Sequence, residues 1–261
     1  MRLLFIGDIF GSPGRRAITR LVPALRRELE LDFVIANGEN AVSGAGLNPA
    51  SVEEILGAGV DVITGGNHGF DKAEGIPVID REPRVLRPIN YPPGTPGRGV
   101  GVYLAGETKI AVISVMGRIF MQPLDCPFRG VDAALEEIGD RASIVFVDFH
   151  AEATSEKIGL GWYLDGRVSA VVGTHTHVQT ADEKILPRGT AHLTDAGMTG
   201  PHDSIIGTRK ELALQRMLAQ MPVRFQPAER DVRLHGALID IDPENGRARS
   251  ITRIARLLTE E

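Results

Sequence analysis

The sequence predicts an α/β fold, because short and mostly apolar runs alternate with segments that carry helix-start signals. Five of these runs are typical of buried strands, since they are four or five residues long and polar residues follow each one. They span residues 3–6, 33–36, 60–63, 144–147 and 168–172. The chain has 261 residues, of which 43% are hydrophobic, which is enough for a sizeable core. These observations favour a parallel sheet covered by helices.

Helix-start residues define the helices expected between the runs. Ser12-Pro13 is typical of an N-cap followed by a first-turn proline, and the helix it begins is expected to continue to about Leu29. Asn48-Pro49 begins a second helix that ends near Gly57. Shorter helices are expected over residues 132–138, 155–164 and 207–219.

Three hairpins are expected in addition to these elements. They cover residues 101–115, 184–194 and 234–254, and the last one turns through Asp242-Pro-Glu-Asn-Gly246, a strong antiparallel turn signal. The late hairpins indicate that the second half forms a mixed or antiparallel sheet packed against the first half. Because no linker or repeat interrupts the chain, residues 1–261 are expected to form a single domain.

Composition and charge limit the partners and the cellular compartment that we expect for this protein. A formal net charge of −5 provides no general attraction to nucleic acid, so no general nucleic-acid-binding surface is expected. No apolar run approaches the ~18 residues of a membrane helix, and the four apolar residues after Arg2 are too few for a signal peptide. The single cysteine, Cys126, fits a reducing compartment. We therefore expect a cytoplasmic protein without a membrane segment.

The polar residues after the five runs are candidate metal ligands. In open α/β sheets, ligands bind outside the carboxyl ends of the strands, so these residues are expected to converge on one site. Carboxylate, amide and imidazole groups together form the ligand set of a metal centre. The candidate ligands are Asp8, Glu39, Asn40, Asn67, His150, His175 and His177.

The segment Gly173-Thr-His175-Thr-His177 is the sharpest local motif. In an extended segment residues i and i+2 point to the same side, so the two imidazoles could serve two neighbouring metals. Each candidate taken alone also has a structural explanation. Asp8 could cap a helix, Asn40 and Asn67 could be turn residues, and the histidines could face solvent. The coincidence of five clusters favours the metal site.

Charge counting indicates the chemistry of such a centre. Glu39 stands at the end of a buried run, where a carboxylate is costly unless it is paired or metal-bound, and it could bridge two cations. With two divalent ions, the charges of Asp8, Glu39 and a bridging hydroxide leave a net charge of about +1. The centre would attract an anionic substrate and stabilise a pentacoordinate phosphorus. Two metals would also clamp the attacking and leaving oxygens of an in-line displacement.

The other histidines differ in their expected roles. His68 stands beside Asn67 and could donate a proton to the leaving alkoxide, with Asp71 either orienting it or capping a helix. His192 and His235 lie within apparent strands and are expected to be structural. His202 follows a turn that could line the cleft, and it is left out of the metal set.

The order of these motifs resembles the calcineurin-like metallophosphoesterase superfamily. More closely, it resembles the bacterial YmdB-like subgroup, whose members include 2′,3′-cyclic-nucleotide phosphodiesterases, and the resemblance covers nearly the whole chain. Three places depart from the superfamily: Phe10 replaces the histidine of Asp-x-His, Gly-Glu39-Asn40 replaces Gly-Asp-x-x-Asp-Arg, and Gly69 follows the Asn-His pair. The first two match the pattern of the subgroup.

The resemblance implies a four-layer α/β/β/α sandwich of two mixed sheets flanked by helices. It also implies two metal ions per chain, iron or manganese first and zinc as another option, with Glu39 bridging them. The first metal would be held by Asp8, Glu39, Asn40 and His177, and the second by Glu39, Asn67, His150 and His175. His68 would be the catalytic acid.

These inferences lead to one expected function and three alternatives. The expectation is a dinuclear metal phosphodiesterase that uses a metal-bridging hydroxide, with 2′,3′-cyclic nucleotides as its substrates. A phosphomonoesterase could use the same centre, as could an amidohydrolase, although amidohydrolases usually carry H-x-H on their first barrel strand. A non-catalytic protein that senses a nucleotide or metal is the remaining alternative.

Two further features stay open in the sequence. Loop aromatic residues could stack on a base or simply pack; they are Tyr91, Phe120 and Phe128. The apolar segment 116–130 could form a substrate rim or the interface of a homo-oligomer.

Overall fold

The computed structural model describes residues 1–259, and strands and helices alternate along them. The strands are β1 (Arg2–Ile6), β2 (Asp8–Ile9), β3 (Phe33–Asn37), β4 (Val62–Thr64), β5 (Val85–Leu86), β6 (Val100–Ala105), β7 (Thr108–Met116), β8 (Ile144–His150), β9 (Ala170–Thr174), β10 (Lys184–Ile185), β11 (Ala191–Leu193), β12 (Met198–Pro201), β13 (Val232–Ile241) and β14 (Ala248–Leu257). The helices are α1 (Gly11–Glu28), α2 (Pro49–Gly57), α3 (Ile76–Arg81), α4 (Pro127–Ile138), α5 (Thr154–Leu164) and α6 (Lys210–Ala219).

The strands form two mixed sheets. The first has the order β2-β12-β13-β1-β3-β4-β5, with β14 paired to β13, and the second has the order β10-β11-β9-β8-β7-β6. Within the first sheet β1, β3, β4 and β5 are parallel neighbours, and within the second β7, β8, β9 and β11 are. The second sheet is mixed and packs against the first, as expected, but the expectation that the last hairpin belongs to it is wrong. The hairpin β13–β14 joins the first sheet antiparallel to β1, where it covers an edge that β3 leaves unpaired.

Alternating side chains of each sheet build the layers. In β1, Leu4 and Ile6 face α1 and α2, whereas Leu3 and Phe5 face the second sheet. The ring centroids of Phe5 and Phe146 lie 4.8 Å apart between the sheets. A third buried cluster fills the space between the second sheet and the helices α4 and α5. The architecture is therefore the four-layer α/β/β/α sandwich that the sequence indicated.

Most element boundaries match those expected from the sequence. The helix expected over 132–138 begins earlier, at Pro127, because a proline is tolerated in the first helical turn. The helix expected from Gly207 begins later, at Lys210, because Gly207 has a φ of +98° and lies in the turn between Ile205 and Thr208, which form a bridge. In the part of the chain that the structure describes, every helix is too short or too polar to span a bilayer.

Replacing Phe146 tests the packing between the sheets. Phe146→Ala is expected to lower the free energy of unfolding by about 3–5 kcal/mol, because a fully buried ring is lost and a cavity remains between the layers. Phe120→Ala is the matched control, since Phe120 is 89% exposed. Urea denaturation measures both variants. A loss below about 1 kcal/mol for Phe146→Ala would contradict this account of the core.

Candidate metal centre

The carboxyl ends of parallel strands from both sheets meet at one site. Glu39 and Asn40 lie in the turn after β3, Asn67 lies in the turn after β4, and His150 ends β8. The remaining candidates reach the same place from β2 and from the bend after β9; they are Asp8, His175 and His177. All seven candidate ligands therefore come together, although they belong to two different sheets rather than to one.

One group of acceptors surrounds a ring nitrogen of His150. Its Nε2 atom lies 2.9 Å from Asn67 Oδ1, 3.2 Å from Glu39 Oε1 and 3.0 Å from His175 Nδ1. Ligand atoms of Glu39, His150 and His175 all lie within 4.8 Å of one another. A single hydrogen on Nε2 cannot satisfy three acceptors, so this arrangement is suited to a cation.

A second group lies on the other side of Asp8. His177 Nε2 is 3.2 Å from Asn40 Oδ1 and 4.0 Å from Asp8 Oδ1. The same Asp8 oxygen lies 3.8 Å from His150 Nδ1, so it stands between the two groups. The first group has the residues of one ligand set that the resemblance implied, and the second group has Asp8, Asn40 and His177 of the other; their role as metal ligands stays a prediction.

Backbone conformation, rather than strand alternation, aims the two histidines of the H-x-H motif. His175 has a φ of +103° and His177 a φ of +64°, so the prediction of an extended segment is wrong. Left-handed conformations are unfavourable for these residues and persist only where the surroundings hold them. Asp195 supplies part of that restraint, because its Oδ2 accepts hydrogen bonds from the backbone N–H and the hydroxyl of Thr176. Lys157 Nζ lies 2.6 Å from the same oxygen, and this ion pair is buried.

A buried hydrogen-bond chain fixes the tautomer of His150. Thr174 donates its hydroxyl hydrogen to Asp148 Oδ1 at 2.8 Å, so its oxygen is left to accept from His150 Nδ1 at 2.9 Å. In the neutral ring Nδ1 then carries the hydrogen, and Nε2 presents its lone pair to the site. Asn37 and Thr64 donate to the other oxygen of Asp148 at 2.9 and 2.5 Å. Such partners behind a ligand raise its basicity and hold its orientation.

The charges of the site act strongly on one another. Burial opposes ionisation of Glu39, but the charge of His150 outweighs burial and lowers the pKa of Glu39 to about 2. Burial also disfavours a charged His150, yet Glu39 and Asp8 raise its pKa to about 9. Burial and the charge of His150 together lower the pKa of His175 to about 3. The proton on His150 is thus stabilised by the carboxylates of Glu39 and Asp8, and it occupies the position where a metal cation would bind.

Three observations test whether these residues fit metal ions. Asp8 Oδ1 is fully buried and has no hydrogen-bond partner within residues 1–259, and burial raises the pKa of this carboxyl group. A Cβ atom on Gly66 would lie 2.4 Å from both Glu39 Oε2 and the His150 ring, so only glycine leaves the ligands their space. The donor set of oxygens and imidazole nitrogens suits iron, manganese or zinc. The residues present therefore fit a metal centre.

His68 and Glu152 contact the ligands from the solvent side. The His68 backbone N–H donates to Glu39 Oε2 at 3.0 Å, and its Nδ1 lies 2.7 Å from Asp71 Oδ2. Asp71 is thus placed to orient His68. Glu152 Oε2 lies 3.0 Å from His175 Nε2, which leaves Nδ1 of that ring facing the ligand group.

Sequence reasoning missed the residues that support the ligands. Asp148 carried a usable signal, because it lies two positions before His150 in the same buried strand and therefore faces the same side. Glu152 and Asp195 carried none, since an acidic residue in a loop is common without any such role. The expected structural histidines His192 and His235 do lie in β11 and β13, and His202 packs its ring against His235 at 4.3 Å.

A cleft of about 390 Å³ opens at the candidate metal ligands. Glu39, Asn40, His175 and His177 form its floor, and His68 lies at its side. A cleft of this size accommodates a small molecule. The rest of the lining is Phe10, Ser43, Gly44, Glu152, Thr176, Ile206, Thr208, Phe225, Gln226 and Pro227.

The four-layer fold and the ligand cluster at its strand ends define a protein of the calcineurin-like metallophosphoesterase class. A family model described as "YmdB-like protein" matches residues 4–254, and the chain belongs to this family. The resemblance read from the motifs is thereby confirmed.

Known proteins similar to this chain include the following three. A Bacillus subtilis protein named 2′,3′-cyclic-nucleotide 2′-phosphodiesterase is 50% identical over 254 residues, which cover 97% of this chain and 96% of that protein. The crystal structure of a hypothetical protein from Thermus thermophilus has a TM-score of 0.93 and 47% identity, covering 98% of this chain and 99% of that one. The crystal structure of a novel phosphatase from Mycoplasma pneumoniae has a TM-score of 0.93 and 30% identity, covering 98% and 93%.

Replacing Thr174 tests the support behind His150. Thr174→Val removes the hydroxyl that links Asp148 to His150 Nδ1, so Mn²⁺ affinity is expected to fall about 10- to 100-fold. Thr174→Ser is the matched control, because it keeps the hydroxyl and should keep most of the affinity. Calorimetric titration of metal-free protein measures both variants. Equal affinity in the valine and serine variants would show that the tautomer is set in another way.

Proposed function

We propose that this protein is a dinuclear metal phosphodiesterase that hydrolyses 2′,3′-cyclic nucleotides, with iron or manganese as the preferred metals and zinc as another option. The observation that carries the proposal is the convergence of oxygen and nitrogen donors from seven residues at one site, with Glu39 beside His150 and His175. The name of the Bacillus subtilis relative supports the choice of substrate, because that relative is 50% identical over nearly its whole length.

Different residues of the chain have different proposed roles in the reaction. When bound, two metal ions would lower the pKa of a water and clamp the oxygens of an in-line displacement. Asp8, Asn40 and His177 would hold one ion, and Asn67, His150 and His175 the other, with Glu39 between them. Because only two of these seven ligands carry a negative charge, the centre keeps a positive charge that attracts a phosphodiester anion.

His68 is the proposed acid of the reaction. Its side chain is half-exposed in the cleft, and Asp71 holds its Nδ1 at 2.7 Å, so Nε2 is the nitrogen left to face the substrate. Protonation of the leaving ribose oxygen by Nε2 would avoid a free alkoxide. A 2′-phosphodiesterase of this kind would break the bond between phosphorus and O2′ and leave a 3′-nucleotide.

The cleft and the overall charge favour a small substrate over a nucleic acid. A volume of about 390 Å³ suits a mononucleotide, and the net charge of −5 gives no extended attraction for a polyanion. We further propose that residues 1–261 work as one domain in the cytoplasm. Ligands drawn from both sheets support the single domain, and the lone Cys126 fits a reducing compartment.

Hydrolysis of 2′,3′-cyclic AMP by protein of known metal content tests the proposal. About two metals per chain and release of 3′-AMP are expected. Asp8→Asn and His150→Ala should each lower turnover at least 100-fold while retaining the circular dichroism of the parent, since each removes a ligand from a formed site. The conservative control is Val178→Ala, because Val178 lies just beyond the motif and is exposed.

The same assay separates the alternatives. Faster hydrolysis of nitrophenyl phosphate monoesters than of diesters would replace the proposal with a phosphomonoesterase. Cleavage of amide substrates alone would replace it with an amidohydrolase. Tight nucleotide binding without turnover would indicate a sensor, and full activity in Asp8→Asn would remove the proposed site altogether.

The leaving group tests the role of His68. His68→Ala is expected to slow hydrolysis of 2′,3′-cyclic AMP about 100- to 10,000-fold, because an alkoxide must then leave unprotonated. A p-nitrophenyl diester should slow far less, since nitrophenolate leaves without a proton. Comparing kcat for the two substrates in both proteins measures the difference. Equal losses on both substrates would assign His68 to binding rather than to proton transfer.

A further inference from the structure

One wall of the cleft is formed by residues 202–231, a segment that leaves the first sheet between β12 and β13. We call this segment the excursion. Strands β12 and β13 pair directly, with Pro201 opposite Val232, yet thirty residues separate this pair along the chain. The intervening segment, residues 202–231, contains α6, of which only Ala213 is buried. Because a short turn could join β12 to β13, the sheet does not need this excursion. Its position beside the candidate metal ligands therefore calls for another explanation.

The excursion contacts the metal site through its backbone. The carbonyl oxygen of Ile206 lies 3.0 Å from His177 Nδ1, so this oxygen accepts the ring hydrogen and leaves Nε2 towards Asn40 and Asp8. The wall is therefore fixed at a known position relative to one of the proposed ligands. Bridges between Ile205 and Thr208, and between Thr208 and Pro227, hold its two arms together.

Exposed apolar side chains form part of this wall, beside the polar Thr208 and Gln226. Ile206 is 56% exposed and Phe225 is 48% exposed, and both line the cleft beside Pro227. Phe10 continues the apolar surface and packs edge-on against His177, with ring centroids 5.6 Å apart. Large apolar side chains left open next to a charged floor are typical of a site that binds an apolar part of a ligand.

Other residues of the cleft lining are polar. They include Ser43, His68 and Glu152, and His68 is held in place by Asp71. With metal ions bound at its floor, the cleft would thus combine a cationic floor with polar and apolar lining residues. A nucleotide has the matching distribution, because its phosphate is charged, its ribose is polar and its base is flat and largely apolar.

We propose that Phe225, with Ile206 beside it, forms the subsite for the nucleobase of the substrate; the choice of a nucleotide rests on the proposed function. Arg216 covers the Phe225 ring at 5.7 Å from the centroid, which limits the movement of the ring and leaves its other face for stacking. Gln226 accepts from Arg209 through Oε1, so its amide N–H groups are the part oriented for a base. Stacking of this kind accepts all four bases.

The aromatic residues considered for this role from the sequence lie elsewhere. Phe128 packs against Tyr163 and Tyr91 packs against Phe70, each with ring centroids 5.3 Å apart. Phe120 is almost fully exposed, and none of the three lines the cleft. Phe225 had no distinguishing sequence signal, because it lies in an irregular loop without helix or strand periodicity.

Paired ligands with and without a base test the subsite. Metal-loaded protein is titrated with 3′-AMP and with 1-O-methylribose 3-phosphate, which keeps the sugar phosphate and lacks the base. The parent protein is expected to bind 3′-AMP about 5- to 100-fold more tightly, the gain from one stacked base. Phe225→Ala should abolish that gain and leave the affinity for the baseless ligand unchanged. Phe225→Tyr should keep the gain, since it keeps the ring.

Controls separate this inference from the proposed function. Leu218→Ala should bind both ligands like the parent, because Leu218 is 84% exposed on α6 and lies outside the cleft lining. Base-dependent binding that requires Phe225 supports the subsite even if 2′,3′-cyclic AMP is not hydrolysed, in which case only the proposed reaction fails. No preference for 3′-AMP, or a preference that survives in Phe225→Ala, would overturn the subsite whatever the activity.

Discussion

The buried carboxylate of Asp148 is the contact on which the rest of the site depends. It accepts hydrogen bonds from Asn37 and Thr64 of the first sheet and from Thr174 of the second, so it joins the two sheets at the edge where the ligands gather. Burial raises its pKa to about 6, despite the hydrogen bonds that favour the charged form. An unpaired carboxylate at this depth would be strongly destabilising, so the three donors are needed together.

This contact has consequences for both the ligands and the fold. Through Thr174, Asp148 determines which ring nitrogen of His150 carries the hydrogen. Because Asp148 also joins the two sheets, it fixes the distance between Glu39 and the histidines. The seven candidate ligands come from both sheets. The candidate metal centre is therefore a product of sheet packing: the apolar layer that holds Phe5 against Phe146 also fixes the positions of residues at the strand ends.

The sequence was most informative at the ends of buried strands, where the apolar pattern of the strand and the chemical type of the residues after it point to the same site. Apolar runs indicate buried strands, and polar residues placed directly after them are conspicuous, so the layered fold and the convergence of the seven candidate residues could both be predicted. The pairing of β13 with β1 could not, because a hairpin signal specifies local pairing and says nothing about which distant edge it joins. The left-handed turn at His175 was also hidden, since it depends on Asp195 and Lys157 from other segments. The base-binding wall lies in the excursion between β12 and β13 and shows no helix or strand periodicity. Its role can therefore be inferred only from its position in the folded structure.

The dinuclear centre itself is the central claim, and anomalous diffraction tests it most directly. Crystals of the protein grown with Mn²⁺ would be measured at the manganese absorption edge. Two anomalous peaks are predicted, one beside Asp8, Asn40 and His177 and the other beside Asn67, His150 and His175, with Glu39 between them. A single peak, or peaks away from these side chains, would contradict the dinuclear centre.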